Sequence, residues 1–470
     1  MTARVSRSHG RSGRGRRFVV ALCVLSLGVA ACGNSGDDDD DGAAGGSSGD
    51  DGGSGGTEAS SGDRDTFVEI SGVPGVSDDE IQFSVIGTKS NNPLGTCILD
   101  CYAAGIEAYF AYRNSEGGIY GRDLVVSETL DDELANNQVR ALDVISADDT
   151  FGNFNATLAP SGWGDLDQAG VPTYVWGIHG NEMAGRQNIF GHIQGPCSGC
   201  TGRGVPWIAA QAGAHRVATI GYGITETSRE CAHGAADSFE LYGSDVDAEA
   251  VYVKDDLAYG LPNGIAPEVT AMKEAGVDFV ASCIDLNGMK TLAQELQRQG
   301  MDDVTLYHPN TYDQQFVEEN ADLFEGDYVT VQFLPFEADA EGTPLDTFQQ
   351  WMDESGGELA EQSMVGWINA DLAFQGLLAA GPEFDRQSVV DATNQMTDYD
   401  AEGLINPIDW TRQHAAAVEG DPSTEYAQEC APVVQIHDGA FETVAPADKP
   451  WLCWSNDDQD WSEPTPTSFN

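Results

Sequence analysis

The stretch of residues 81–131 constrains the fold more than any other part of the chain. Apolar side chains alternate over 81–87, which predicts a buried strand. After a loop rich in Asn, Pro and Gly, apolar residues recur at helical spacing over 98–113, and Gly117-Gly118 predicts where that helix ends. A second strand is predicted over 124–127. Strand, helix and strand form a βαβ unit, whose right-handed crossover places the first loop at the carboxyl edge of a parallel sheet, where such sheets bind ligands.

The same alternation of strands and helices continues through most of the chain. Strands are predicted over 150–154, 171–176, 216–220, 277–282, 304–307 and 329–336. Helices are predicted over 207–213, 267–275 and 292–299, and amphipathic helices around Phe348, Trp351, Met352 and Trp367, Asp371, Phe374, Leu378. We interpret the aromatic residues of these last two helices as core.

A hairpin is expected to turn at Asp438-Gly439, and the tail beyond Trp454 is expected to be disordered. About 400 ordered residues exceed the size of about 250–300 at which one core stops growing, so two lobes are expected.

The amino terminus has the pattern of a secretory signal. Six arginines precede an apolar run over 18–31, which is too short to span a bilayer and is followed by Cys32. We therefore predict a signal peptide over 1–31. Val29-Ala30-Ala31-Cys32 resembles a lipobox, which implies that Cys32 becomes a lipidated amino terminus; the alternative is a plain signal peptide with an incidental cysteine.

Residues 32–65 are mostly Gly, Ser and Asp, which predicts a disordered acidic linker. A calcium site in the acidic run 37–41 is the alternative, but calcium ligands need alternating positions and a turn. The whole chain has a formal net charge of −55, which becomes −61 once the six arginines before Cys32 are removed. This charge argues against nucleic acid as a partner and favours high solubility.

A family resemblance rests on the order of several motifs. The Pro-Leu-Gly loop at 93–95, the helix after it and the run Gly-Gly-Ile-Tyr-Gly-Arg-Asp-Leu at 117–124 resemble the opening of type I solute-binding proteins, the receptors of branched-chain amino-acid ABC importers. The resemblance extends from about residue 81 to 453. It implies an α/β fold of two doubly wound, Rossmann-like lobes joined by three hinge crossovers, with a ligand held between facing strand ends.

The resemblance also implies how the chain divides and what it does. The expected lobes are 66–195 with 336–405, and 196–335 with 406–454, followed by the tail 455–470. The expected protein is extracytoplasmic and lipid-anchored to the cell membrane, and it delivers a small molecule to an ABC permease. The expected ligand is an amino acid, an amide or a small carboxylate. No cofactor, metal or catalytic residue is implied.

In the first lobe, the expected ligand-binding residues are Asn155, Thr157, His179 and Gly180. They follow two predicted strands and match positions at which the family holds the ligand's carboxylate with hydroxyl and backbone N–H groups. These positions offer hydrogen-bond donors and no negative charge. His179 lacks the spacing of a metal-binding or acid–base pair, so we interpret it as a residue that lines the cleft.

In the second lobe, the expected ligand-binding residues also follow strands: Glu226, Ser228, Asp285, Asn310 and Tyr312. A ligand ammonium must be paired when it is buried, and Asp285 is the first choice for that role, with Glu226 second. The Gly-x-Gly run at 221–223 has Glu226 where a dinucleotide fingerprint needs glycine, which excludes that motif. The aromatic walls of the pocket are expected among Tyr102, Trp176, Tyr222 and Tyr312.

Eight cysteines remain after Cys23 and Cys32 are set aside, and they permit about 105 pairings. Proximity and strand geometry favour the pairs Cys97–Cys101, Cys197–Cys200, Cys231–Cys283 and Cys430–Cys453. A redox site or half of a zinc site is the alternative for the Cys-x-x-Cys at 197–200.

Two other functions share this fold. A sensor would pass its ligand signal to a signalling partner, and sequence does not separate a sensor from a receptor. An enzyme is less favoured, because the sequence contains no Gly-x-Ser-x-Gly elbow, P-loop or zinc signature.

Overall fold

The structure is a computed structural model that describes residues 64–193, 200–224, 226–309, 311–412, 414, 428–457 and 459–469. Several predictions lie outside the described residues: the signal peptide, lipidation at Cys32, most of the linker, the Cys197 half of one disulfide, Asn310 and the side chain of Glu226.

The first sheet is built from the strands β1 (Glu80–Gly87), β2 (Asp123–Asp131), β3 (Gly152–Ala156), β4 (Thr173–Val175) and β5 (Ile189–Gly191). They pair in parallel in the order β2-β1-β3-β4-β5. The alternating residues Ile81, Phe83 and Val85 of β1 are fully buried. β1 lies between β2 and β3, and all of its residues from Phe83 onward are buried.

The helices α1 (Leu99–Ser115), α2 (Asn137–Ala147), α3 (Trp163–Gln168) and α4 (Gly180–Met183) connect these strands. Gly117 and Gly118 have φ of 102° and 66°, so the chain turns after α1 where the sequence predicts it. Phe83 of β1 packs against Phe110 of α1, with ring centroids 5.4 Å apart. The predicted βαβ unit is therefore present and forms the core of this layer.

The second sheet is built from the strands β6 (Arg216–Tyr222), β7 (Glu249–Leu257), β8 (Phe279–Cys283), β9 (Thr305–His308), β10 (Tyr328–Thr330), β11 (Gln428–His437), β12 (Ala440–Thr443), β13 (Trp451–Ser455) and β14 (Thr465–Thr467). Their order is β14-β13-β11-β10-β9-β8-β6-β7, with β12 beside β11. The strands β6, β7, β8, β9 and β10 pair in parallel. β11 pairs antiparallel with β10, β12 and β13, and β13 pairs antiparallel with β14. Asp438 and Gly439 have φ of 50° and 77°, which confirms the predicted hairpin turn.

The helices of the second sheet are α5 (Gly204–Gln211), α6 (Glu226–Val246), α7 (Ala266–Ala275), α8 (Leu286–Arg298), α9 (Gln314–Glu319) and α10 (Ala321–Phe324). The chain then returns to the first sheet through the helices α11 (Pro344–Ser355), α12 (Glu361–Ala380) and α13 (Arg386–Thr393). A Cβ atom placed on Gly105 of α1 would lie 1.9 Å from the carbonyl oxygen of Ser363 of α12, so only glycine permits this approach. Phe348, Met352 and Trp367 are buried, as predicted for core residues.

Three chain passages join the two sheets. The first passage (192–203) follows β5, the second (331–343) follows β10, and the third (394–427) follows α13. The amide of Leu334 donates to the carbonyl of Leu404 over 2.7 Å, so the second and third passages lie side by side.

The structure contains the disulfides Cys97–Cys101, Cys231–Cys283 and Cys430–Cys453, which are three of the four predicted pairs. The first ties the loop after β1 to α1. The second joins α6 to the end of β8. The third crosses the antiparallel pair β11 and β13, where Cys430 and Cys453 stand directly opposite each other.

Two local predictions are wrong. The strand predicted over 329–336 ends at Thr330, because the chain beyond it leaves the sheet and pairs with the third passage. The described residues beyond Trp454 include an ordered strand. This strand, β14, pairs with β13, and Trp461 packs against Tyr242 with ring centroids 6.0 Å apart. The aromatic side chains of Trp461 and Phe469 pack against the second sheet and its helices, which explains why this polar segment is ordered. Within the described residues, no helix is both long and apolar enough to cross a membrane.

Candidate functional site

The carboxyl edges of the two parallel sheets face each other. Gly95 lies in the loop after β1, and a Cβ atom placed on it would lie 3.3 Å from Nδ2 of Asn287, on the first turn of α8. Each of these segments follows a central strand of its own sheet. The loops after the strands of both sheets therefore border one cleft, and this cleft is the candidate site.

The loop after β1 is held from both ends. The backbone amides of Lys89 and Ser90 each donate to the carboxylate of Asp131, with shortest distances of 3.1 and 3.0 Å. At the other end of the loop, the Cys97–Cys101 disulfide fixes the chain to the first turn of α1. The side chain of Lys89 forms an exposed ion pair with Asp100 at 2.8 Å.

Asn155 is fully buried and its amide is engaged within the protein. Its Oδ1 accepts from Nδ2 of Asn137 over 3.2 Å, and its Nδ2 donates to Oδ1 of Asn153 over 3.3 Å. Asn153 in turn donates to the hydroxyl of Ser84 over 2.9 Å. A chain of buried side-chain hydrogen bonds thus runs along β3 and ends at the cleft edge of the sheet.

Thr157 is also fully buried, and its hydroxyl donates to Oδ2 of Asp132 over 2.5 Å. The same hydroxyl accepts from the amide of Ala159 over 3.1 Å. The expectation that this edge carries no negative charge is therefore wrong, because Asp132 follows β2, which lies on the far side of β1 from β3, and sequence alone does not place it beside Thr157. In this structure the Thr157 hydroxyl has no proton left for a ligand.

His179 is half-buried at the end of the loop after β4. Its Nε2 lies 3.1 Å from the carbonyl of Thr157, which can only accept, so Nε2 carries the proton. Burial lowers the pKa of His179, which favours the neutral ring. Gly180 begins the short helix α4 directly after it. The two residues lie beside Thr157, as expected for neighbouring strand ends.

Asp285 lies at the end of β8 and caps α8. Its carboxylate accepts from the amide of Gly288 over 2.5 Å and from the hydroxyl of Tyr222 over 3.3 Å. The ring of Tyr222 packs against Tyr259, with centroids 5.0 Å apart. Burial raises the pKa of the Asp285 carboxyl, because desolvation disfavours its charged form, and among the described residues it forms no ion pair. Tyr222 ends β6, and Asp285 and Tyr259 follow β8 and β7, the strands on either side of it.

Two other predicted residues of the second lobe have structural contacts. Ser228 accepts from the amide of Tyr222 over 2.7 Å and donates to the carbonyl of Cys283, so it ties α6 to two strand ends. The hydroxyl of Tyr312 donates to Glu337 over 2.6 Å and accepts from the amide of Phe336 over 2.7 Å. Tyr312 therefore fixes the second passage to the end of β9.

The chain also matches a known protein family. A family model described as periplasmic binding protein matches residues 96–440. The chain belongs to this family. The family consists of solute-binding proteins of extracytoplasmic location and not of enzymes. No curated protein matches the chain.

Solved structures show the same fold as this periplasmic binding protein. A branched-chain amino-acid ABC transporter protein from Thermus thermophilus with bound valine has a TM-score of 0.61 and 14% identity, with 83% of this chain and 97% of that chain covered. A fatty acid ABC transporter substrate-binding protein from Thermomonospora curvata has a TM-score of 0.62 and 14% identity, covering 80% and 94%. The leucine-binding protein of Thermotoga maritima has a TM-score of 0.58 and 11% identity, covering 80% and 99%.

Sequence reasoning missed an acidic pair in this periplasmic binding protein. Glu361 begins α12, which packs on the first sheet, and Asp313 caps α9 of the second sheet. Burial and the charge of Asp313 raise the pKa of Glu361 to about 7. No sequence pattern connects the two residues, because Glu361 follows α11 and Asp313 follows β9, and they are far apart in sequence.

Among the described residues, the one group of three side chains with metal-ligand spacing is Cys97, Cys101 and Glu358. The two cysteines form a disulfide, so they offer no thiolate to a metal.

Proposed function

We propose that this protein is a solute receptor that binds an amino acid, an amide or a small carboxylate between its two lobes and delivers it to an ABC permease. The proposed lobes are 66–195 with 336–405, and 196–335 with 406–454. The observation that carries the proposal is the cluster of Asp285, Tyr222 and Tyr259 at a strand edge that faces the first lobe.

The chemistry of this cluster fits the amino group of a solute. A ligand ammonium that loses water on entering the cleft needs an anionic partner there, because an unpaired buried charge is strongly unfavourable. Asp285 is an acceptor without a cation of its own among the described residues, and the rings of Tyr222 and Tyr259 beside it attract positive charge. The valine and leucine named for two of the similar structures carry such a group.

The carboxylate end of an amino acid would meet the first lobe. The side chains of Asn155 and Thr157 are engaged internally, so the remaining donors there are backbone N–H groups near Gly180 and the ammonium of Lys89. Lys89 would have to leave Asp100, which is an exposed pair and therefore weak. A neutral amide needs only the backbone donors.

A thermal-shift screen of the mature protein tests the receptor function. The panel contains the standard amino acids, their amides and small carboxylates. A solute at about 100 times its Kd stabilises the folded state by about 2.7 kcal/mol, which is readily seen as a rise in Tm. Absence of any shift across the panel would refute the proposed ligand class.

We also propose that the protein does not alter its ligand. Mass spectrometry of a bound solute after prolonged incubation should recover it unchanged. A new product that depends on the protein would instead favour an enzyme.

The last part of the proposal is the lipid anchor at Cys32. The support is the sequence Val29-Ala30-Ala31-Cys32 followed by a linker poor in apolar residues. Cys32→Ser should release the protein from membranes without lowering its Tm, because the linker contributes no core. Retention of the Cys32→Ser protein on membranes after a high-salt wash would refute the anchor.

A further inference from the structure

His192 lies at a junction of three segments. It is fully buried at the start of the first passage, directly after β5. Its Nδ1 accepts a hydrogen bond from the amide of Gly177, in the loop after β4, over 3.2 Å. Its Nε2 lies 2.9 Å from Oε1 of Gln332, in the second passage. One imidazole ring therefore contacts a cleft loop and a second segment that joins the sheets.

The two contacts fix the protonation of the ring. A backbone N–H can only donate, so Nδ1 holds a lone pair and the proton lies on Nε2, which donates to Gln332. Burial lowers the pKa of His192 to about 4, so this neutral tautomer persists at neutral pH.

The loop after β4 is also closely packed against the start of the first passage. A Cβ atom placed on Gly177 would lie 3.0 Å from Cγ1 of Ile193, and one on Gly191 would lie 3.2 Å from Cα of Gly177. Such close packing transmits a shift of one segment to the other. Gly177 lies two residues before His179 and three before Gly180, which border the cleft.

We propose that His192 is a positioning residue that couples the loop after β4 to the second passage, so that the conformation at the cleft and the conformation at the hinge change together. The proposal rests on the proposed receptor function, in which the lobes close around a solute by bending these passages. A displacement of Gln332 breaks the bond at Nε2 or turns the ring, and a turned ring withdraws Nδ1 from Gly177. Either change leaves a buried polar group without its partner, which is unfavourable. The coupling follows from the rigidity of the ring.

The test uses hydrogen exchange of the full mature protein without added solute. The measured quantity is the exchange rate of the Gly177 amide, which donates to Nδ1 of His192. Gln332→Met removes the acceptor for Nε2 without touching Gly177. Gln332→Asn is a milder variant that withdraws the same carbonyl by one methylene group and keeps a polar side chain. The proposal predicts that both variants speed exchange at Gly177 by about tenfold or more.

Two substitutions of the histidine separate the roles of its nitrogens. Asn at 192 places a carbonyl near the position of Nδ1, and Gln at 192 places an N–H near the position of Nε2. His192→Asn keeps an acceptor for the Gly177 amide but lacks the contact with Gln332, so it should speed exchange as Gln332→Met does. His192→Gln lacks the acceptor itself and should speed exchange further. A role in packing alone would give the two variants the same exchange rate.

Gln435→Met is the matched control. It makes the same change of side chain at a glutamine of β11, where it removes a hydrogen bond to the carbonyl of Gly326, and it leaves the His192 contacts in place. Exchange at Gly177 should be unchanged in this variant. The proposal is overturned if Gln332→Met and Gln332→Asn both leave Gly177 at the parent rate, or if the control speeds it equally. No solute is needed, so a failure of the ligand screen would not affect this result.

Discussion

The hydroxyl of Thr157 donates a hydrogen bond of 2.5 Å to the carboxylate of Asp132, and both side chains are fully buried. Among the described residues Asp132 has no ion pair. Its charge is instead met by the amide of Leu134 over 2.8 Å and by Nδ2 of Asn137 over 3.4 Å. Asp132 therefore organises the cleft edge of the first sheet, and the residues expected to bind ligand there depend on it.

Asp132→Ala should lower the free energy of unfolding by about 2–4 kcal/mol, because it leaves the Leu134 amide and the Thr157 hydroxyl without an acceptor. Urea denaturation followed by tryptophan fluorescence measures this change. Asp123→Ala, at an exposed position of β2, the strand that Asp132 follows, is the control and should change stability by less than about 0.5 kcal/mol. Equal effects of the two substitutions would contradict the role of Asp132.

The fold was predictable where one pattern dominates. β1 alternates apolar residues, α1 repeats them at helical spacing, and Asp438-Gly439 is a strong hairpin signal, so these elements are found where expected. β7 was not predicted. It is the last strand of its sheet, and its Lys-Asp-Asp run at 254–256 interrupts the apolar pattern because that edge faces solvent.

The candidate site was predictable only one strand at a time. Asp285 directly follows a clear strand, so its place at the cleft edge could be read from the sequence. Tyr259 follows the missed β7, and its contact with Tyr222 was missed with it. The pairs Thr157–Asp132 and Glu361–Asp313 join segments far apart in the chain. Only the order of strands in the sheets brings them together, and no local pattern encodes that order.

The Cys231–Cys283 disulfide should contribute more stability than Cys97–Cys101. It joins residues 52 apart in sequence, against 4 for the other pair. Restriction of the unfolded chain predicts a contribution of about 4 kcal/mol for the longer loop and about 2 kcal/mol for the shorter. Double Cys→Ala variants of each pair, compared by urea denaturation, measure the difference. A larger loss for the Cys97 and Cys101 variant would contradict this explanation.

Glu361 should make the protein less stable as pH rises. Its folded-state pKa is about 7 and its ordinary value is 4.5, so between these values the folded protein holds a proton that the unfolded chain has lost. Stability therefore falls as pH rises through this window. Glu361→Gln should be more stable than the parent by about 1–3 kcal/mol at about pH 8 and equal to it below about pH 4.5.

Denaturation midpoints of the parent and the Glu361→Gln protein across this pH range test the prediction. Glu358→Gln, which alters an exposed carboxylate three residues earlier, is the control and should follow the parent curve. Parallel curves for the parent and Glu361→Gln would show that Glu361 does not titrate in this window.

Asp285→Asn should weaken binding of an ammonium-bearing solute without unfolding the protein. Asn remains a good helix cap and still accepts from the amide of Gly288, so α8 keeps its start. The substitution removes the negative charge, and loss of one partner of a buried charge pair costs about 2–4 kcal/mol, or at least about 30-fold in Kd. Calorimetry with the amino acid that gives the largest thermal shift measures this loss.

Asp385→Asn, which alters the cap of α13 in the same way, is the control and should bind like the parent. Unchanged affinity of Asp285→Asn would exclude Asp285 as the ammonium partner. Tight binding of a solute without any cationic group would instead refute the amino-acid class and leave the receptor function standing.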